Sequence, residues 1–243
     1  MKYKDIVLSI KRREFLPIYF LTGDEKYFID ELIDNFIESV LNEDEKIFNQ
    51  VVLYGKDTDV DQIISESKQF PIGAKNRLII VKEGQNLKNI DQLEHYMNNP
   101  QTSSVLVISY INKTIDKRKK FGRKLYEKGF VFESKKLYDN QIPNWIKSYL
   151  DKKNITIDTK ATILLSEYLG NNLSKIKNEI EKLLIITKEN HITPNSIEKH
   201  IGINNDYNLF ELQNALGERN YKKISLIISY FISNEKKYNI VAI

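Results

Sequence analysis

The stretch PIYFLTGDEKYFIDEL, residues 17–32, places an apolar run, a Thr-Gly-Asp turn and an amphipathic segment where a phosphate-gripping loop would sit. Such a loop follows the pattern G-x-x-x-x-G-K-[ST]. Its backbone amides wrap the phosphates, its lysine neutralises them and its hydroxyl holds magnesium. Counting from Gly23, the second glycine position is Phe28, the lysine position is Ile29 and the hydroxyl position is Asp30. Phe28 and Ile29 are bulky and apolar, and Asp30 would repel phosphate. No GK[ST] triplet occurs elsewhere. Lys26, in the turn, reads as a solvated charge. The acidic pair that would hold a magnesium water is reduced to Glu83, which follows Lys82 at the end of RLIIVK and reads as a surface residue. No arginine lies between residues 137 and 218 to sense a γ-phosphate. The frame for nucleotide chemistry is there, and the groups that perform it are not.

Other chemistries find less support. There is no cysteine, so disulfides and thiolate metal sites are ruled out and an intracellular, cytoplasmic location is the simplest expectation. His95, His191 and His200 lack the short helical spacing of a zinc site, and no metal or cofactor is expected. No Ser-His-Asp arrangement, acid pair or glycine-rich dinucleotide loop suggests another enzyme class, so no small-molecule substrate is expected. The chain has 243 residues, 41% hydrophobic and 29% charged, an ordinary globular balance. Its apolar runs stop at about five or six residues, far short of the ~20 that cross a bilayer. Neither a membrane span nor a signal peptide is expected. The net charge of +4 is too mild to imply nucleic acid by itself.

Two further segments could make contacts. In QFPIGAKNR, Phe70, Pro71, Ile72 and Gly73 form an apolar loop between a helix and a strand. They either meet a partner or close the helix against its own sheet. The densest positive charge is Lys117, Arg118, Lys119, Lys120, Arg123 and Lys124, opposed by Asp116 and Glu127. It reads either as a contact for phosphate or an acidic partner, or as a solvated helix face in a lysine-rich chain. No interleaved aromatics strengthen the nucleic-acid reading.

The positioning elements follow from hydrophobic periodicity. A short helix over 2–14 precedes a strand over 17–21. Thr22-x-x-Glu25 has capping-box spacing before a helix whose face is Ile29, Leu32, Ile33, Phe36, Ile37, Val40 and Leu41. Strands over 48–54, 77–82, 105–109 and 130–133 alternate with helices over 59–69, around 93–97 and over 117–128. This predicts an α/β domain with a mostly parallel sheet. From residue 137 the pattern becomes helical. Asp158 is placed as a helix cap, Gly170 as a stop and Thr193-Pro194 as a helix start. Asn204-Asn205-Asp206 reads as a linker, followed by two helices that bury little.

Several stretches together resemble the delta subunit of the bacterial DNA polymerase III clamp loader: PIYFLTGDEKYFIDE, FPIGAKNRLIIVKE, IDKRKKF, the Trp145-Ile146 helix, GNNLSKIKNEIEKL, HITPNSIEKHIG and YNLFELQNAL. Their order and spacing carry the resemblance more than any one of them. It implies an AAA+-like, P-loop NTPase-type α/β domain over 1–137 that binds the clamp, a helical lid over 138–204 and the start of a truncated helical collar over 205–243. It implies a subunit that binds no ATP productively and is not catalytic by itself. The partners implied are the beta sliding clamp, the gamma/tau and delta-prime subunits and, through the complex, primed DNA. The clamp contact falls on Phe70, Pro71, Ile72 and Gly73. Ile72 suits an apolar anchor, whereas Gly73 has no side chain to insert. The competing readings are a stand-alone basic nucleic-acid-binding protein and a degenerate P-loop hydrolase.

Overall fold

The computed structural model describes residues 1–202 and 207–233, so the linker reading at 204–206 lies outside the described residues. The chain divides into two compact units, Met1–Lys136 and Leu137–Ile243.

In the first unit α1 (Tyr3–Arg12) leads to β1 (Ile18–Gly23), α2 (Lys26–Ser39) and α3 (Glu43–Asn49). Then come β2 (Gln50–Tyr54), α4 (Val60–Lys68), β3 (Arg77–Lys82), α5 (Glu94–Asn98), β4 (Ser104–Ile111), α6 (Lys120–Glu127) and β5 (Val131–Ser134). The sheet order is β2-β3-β4-β1-β5, and every pairing is parallel. Alternate residues of the strands feed opposite faces. Phe20, Ile79, Val81, Leu106 and Ile108 pack with α4, α5 and α6, while Tyr19, Leu21, Leu78, Ile80 and Val107 pack with α1 and α2. Covering on both faces explains why β1, β3 and β4 read as apolar runs instead of alternating ones.

The structure corrects four local readings. The capping box at Thr22 and Glu25 is not formed. β1 runs on to Gly23 because it pairs with both β4 and β5, so Thr22 lies in the strand and its hydroxyl donates to Lys113 O at 2.7 Å. Glu25 is itself the N-cap of α2 and accepts from Tyr27 N. Residues 48 and 49 belong to α3, not to the strand, because Asn42 and Glu45 form a reciprocal capping box that starts a helix there. The basic helix begins at Lys120; before it, the Asp116 carboxylate accepts from Arg118 N at 2.9 Å and turns the chain.

The fourth correction is in the second unit. There α7 (Ile142–Asp151), α8 (Thr159–Leu169), α9 (Leu173–Thr187) and α10 (Pro194–Ile201) are joined by a small parallel pair that helical periodicity could not reveal. Its strands are β6 (Thr156–Ile157) and β7 (His191–Ile192). Asp158 does stand at the N-cap of α8, but its side chain makes no cap bond and instead lies 3.1 Å from His191 Nε2. Two further helices, α11 (Leu209–Gly217) and α12 (Tyr221–Ser233), close on Leu212, Ala215, Ile227 and Phe231.

Within this unit Glu211 of α11 is buried and accepts from Lys160 of α8 at 2.7 Å and from Lys223 of α12 at 2.5 Å. Burial raises its carboxyl pKa, but the two lysine hydrogen bonds outweigh that, and the net shift is downward from the ordinary 4.5. A pKa depressed on folding stabilises above the unfolded value, and that stabilisation is lost as pH falls through the folded value. Glu211→Gln is therefore expected to cost about 1–3 kcal/mol of local stability at neutral pH. Amide hydrogen exchange of α11 would read this as loss of protection. The difference from the parent should shrink as the pH is taken below 4.5; a difference independent of pH would contradict the carboxylate as its source.

Candidate functional site

The turn between β1 and α2 is short and closely packed. Only Asp24 and Glu25 separate the strand from the helix, so no loop is left to wrap an anion. Gly23 has φ +123°, and a Cβ there would lie 2.0 Å from Ser134 O, so strand β5 closes tightly on the turn. Asp24 N donates to that same Ser134 O at 3.0 Å. The helix N-terminus, where an anion would dock, is occupied by the chain's own Glu25 carboxylate. Burial pushes the pKa of that carboxyl up, opposed by the Tyr27 N–H and by Lys136. Ile29, at the lysine position, is completely buried in the core, and Phe28 packs its ring 5.2 Å from that of Tyr3. Asp30 pairs with Lys26 at 3.8 Å.

A cleft of about 390 Å³ remains at the carboxyl ends of the strands, lined by Lys26, Asp30, Asp34, Lys82 and Glu83 among others. Glu83 is exposed, accepts from Asn86 and stands in a left-handed backbone conformation. The cleft therefore pairs lysines with carboxylates and carries no concentration of positive charge for a triphosphate.

The basic segment is largely answered from within. Lys120 and Lys124 share Glu94 at 2.9 and 3.2 Å. The hydrogen bond from Lys120, with that from Lys124 beside it, holds the Glu94 carboxyl below the ordinary range. Lys117 lies 3.7 Å from Glu133 and 4.3 Å from the centre of the Tyr126 ring, and Arg118 pairs with Asp116. Lys119 and Arg123 stay exposed, with Arg123 donating to Arg118 O. Exposed pairs of this kind contribute little stability, yet they use up charge that a phosphate backbone would need.

The loop between α4 and β3 differs from both. Phe70 is 76% exposed and Ile72 64%, so neither closes the helix against its sheet. Gly73 takes φ +64° at the tip, a left-handed turn that suits glycine and leaves Ile72 outward. The side chains are exposed, but the backbone is pinned. Asn49, completely buried at the end of α3, donates Nδ2 to Ile72 O at 2.9 Å and accepts Ile72 N at 2.7 Å. Below it the buried Arg77 donates Nη1 to Phe48 O at 2.9 Å and Nε to Glu66 O at 3.2 Å, and pairs with the Glu66 carboxylate. Neither Asn49 nor Arg77 is singled out by the sequence. The capping pattern at Asn42 and Glu45 could have revealed α3, and with it the place of Asn49.

A parallel five-stranded sheet in this order, with a helix after β1 and a helical unit following, defines an AAA+-like P-loop NTPase-type fold. Here the phosphate position is filled by the chain's own side chains. The model of the family described as DNA polymerase III, delta subunit, matches residues 19–135. Over that stretch the chain is similar to this family of delta subunits. It is 29% identical over 252 residues to DNA polymerase III subunit delta of Bacillus subtilis, covering 98% of this chain and 72% of that protein. It is 21% identical over 232 residues to the probable DNA polymerase III subunit delta of Aquifex aeolicus, covering 89% of this chain and 64% of that one. Among solved structures, the Bacillus subtilis DNA clamp loader delta protein superimposes with a TM-score of 0.66 at 27% identity, over 95% of this chain and 71% of its own.

Proposed function

We propose that the chain is a non-catalytic clamp-loader subunit that binds the beta sliding clamp through Ile72, with Phe70 and Pro71 beside it, and helps open the clamp for loading onto primed DNA in the cytoplasm. The observation that carries this reading is an exposed isoleucine on a loop whose backbone is locked from within. Exposing Ile72 gains nothing for the fold, and pinning its backbone lowers the entropy lost when a partner buries it. In this reading residues 1–137 bind the clamp, 138–204 act as a lid and 205–243 begin a collar that meets the gamma/tau and delta-prime subunits. DNA is reached through the complex, with Lys119 and Arg123 as the outward charges of the basic segment.

Surface plasmon resonance of the full chain over the sliding clamp of the same organism tests the reading. Saturable binding is expected, and a folded chain that gives none up to ~10 μM would overturn it. The non-catalytic role has a separate test. Calorimetric titration with magnesium-ATP should give no saturable heat, because Glu25 and Ile29 hold the places of the phosphate and its lysine. A dissociation constant below ~100 μM would contradict that role.

A further inference from the structure

Exposed apolar side chains also stand at the end of α3, which Asn49 ties to the Ile72 loop. The two residues before Asn49 on α3, Ile47 and Phe48, are 75% and 61% exposed. Asn49 is the buried residue of that helix. A short amphipathic helix would ordinarily turn its large apolar side chains inward; α3 turns an amide inward and leaves them in water. The same polar groups hold both sides of the surface. Asn49 bonds the backbone of Ile72, and Arg77 bonds the carbonyl of Phe48 while gripping Glu66 at the end of α4. Helix end and loop are thus one rigid piece. Isolated exposed apolar residues need no explanation, whereas several fixed on one rigid support mark an interaction site.

We propose that Ile47 and Phe48 form the second half of the clamp-contact surface, entering an apolar depression of the clamp beside the one taken by Ile72. This rests on the clamp-binding reading above. A lone isoleucine accounts for roughly a ten- to hundredfold gain in affinity, and Gly73 adds no side chain. Tight interfaces draw on clusters of adjacent anchors with a polar rim. Continuity with Ile72 through Asn49 makes the same partner the occupant, and the exposed Lys68 and Lys75 on either side of the loop supply the rim.

The test is clamp binding by the full chain and by Phe48→Ala, Ile47→Ala, Ile72→Ala and Ile185→Ala, each checked for an unchanged melt. Ile185, 74% exposed in the other unit, is the control. Phe48→Ala and Ile47→Ala are each expected to weaken binding at least about tenfold, with Ile185→Ala indistinguishable from the parent. If Ile72→Ala weakens binding while the Ile47 and Phe48 variants match the parent, this inference is overturned and the clamp reading stands. Loss shared equally by Ile185→Ala would also overturn it. A folded parent that does not bind removes both.

Discussion

Ile72→Ala is expected to weaken clamp binding by about thirtyfold while leaving the thermal midpoint of the free chain unchanged. The separation of the two readouts follows from where the side chain sits. It is mostly in water in the free chain, so its truncation removes little that stabilises the fold. Burial against a partner would contribute roughly 1.5–3 kcal/mol, and a central anchor in a preorganised loop falls in the hot-spot range of about 2 kcal/mol or more. At 1.4 kcal/mol per decade this is close to thirtyfold. Phe70→Ala is the companion variant. Phe70 is the more exposed of the two but has no bond like that from Asn49 to fix it, so the loss should be smaller. An Ile72→Ala chain that binds as the parent does would remove Ile72 as the anchor. A fall in its melting temperature would show instead that the side chain packs within the chain.

The largest effect on stability is expected from Arg77→Met. Arg77 is buried at the start of β3 and joins the ends of α3 and α4 through Phe48 O, Glu66 O and the Glu66 carboxylate. Removing it orphans the Phe48 carbonyl, leaves Glu66 O with only its 3.4 Å bond from Gln69 N, and leaves a carboxylate without its cation. Breaking a buried pair in this way costs about 3–5 kcal/mol, reduced here because the Glu66 side chain keeps partial access to water. We expect about 3 kcal/mol, or a fall in melting temperature of roughly 10 °C. Arg77→Lys should recover only a small part, since a single ammonium cannot reproduce the planar fork of donors. Arg77→Met with Glu66→Gln should recover more, because the stranded charge is then gone. A drop of only a degree or two in the single variant would mean that Arg77 is not what joins the helix ends. Clamp affinity should fall together with stability, which distinguishes Arg77 from Ile72.

Much of this molecule was legible from residue order. The runs PIYFL, RLIIV and VLVIS became the strands β1, β3 and β4 because a sheet covered on both faces needs uninterrupted apolar residues, and that requirement is local in sequence. The absence of the P-loop pattern is readable for the same reason, since that pattern is one contiguous stretch and Phe28, Ile29 and Asp30 stand at its positions counted from Gly23. The family resemblance, too, was carried by ordered local motifs.

What only the tertiary structure decided were the interactions between residues far apart in sequence. Asn49 and Ile72 are 23 positions apart, and only the parallel pairing of β2 with β3 brings the end of α3 beside the loop that precedes β3. The basic segment is partly neutralised by Glu94 and Glu133, which come from elements before and after it. Phe48 looked like the start of a strand because short apolar runs suit either helix or strand, and the capping pair Asn42 and Glu45 before it decided for helix. The sequence alone determined which residue types could not hold a phosphate. The packing of α3, α4 and β3 determined that Ile72 is held outward, because an exposed side chain on a fixed backbone depends on buried polar partners supplied by neighbours in space.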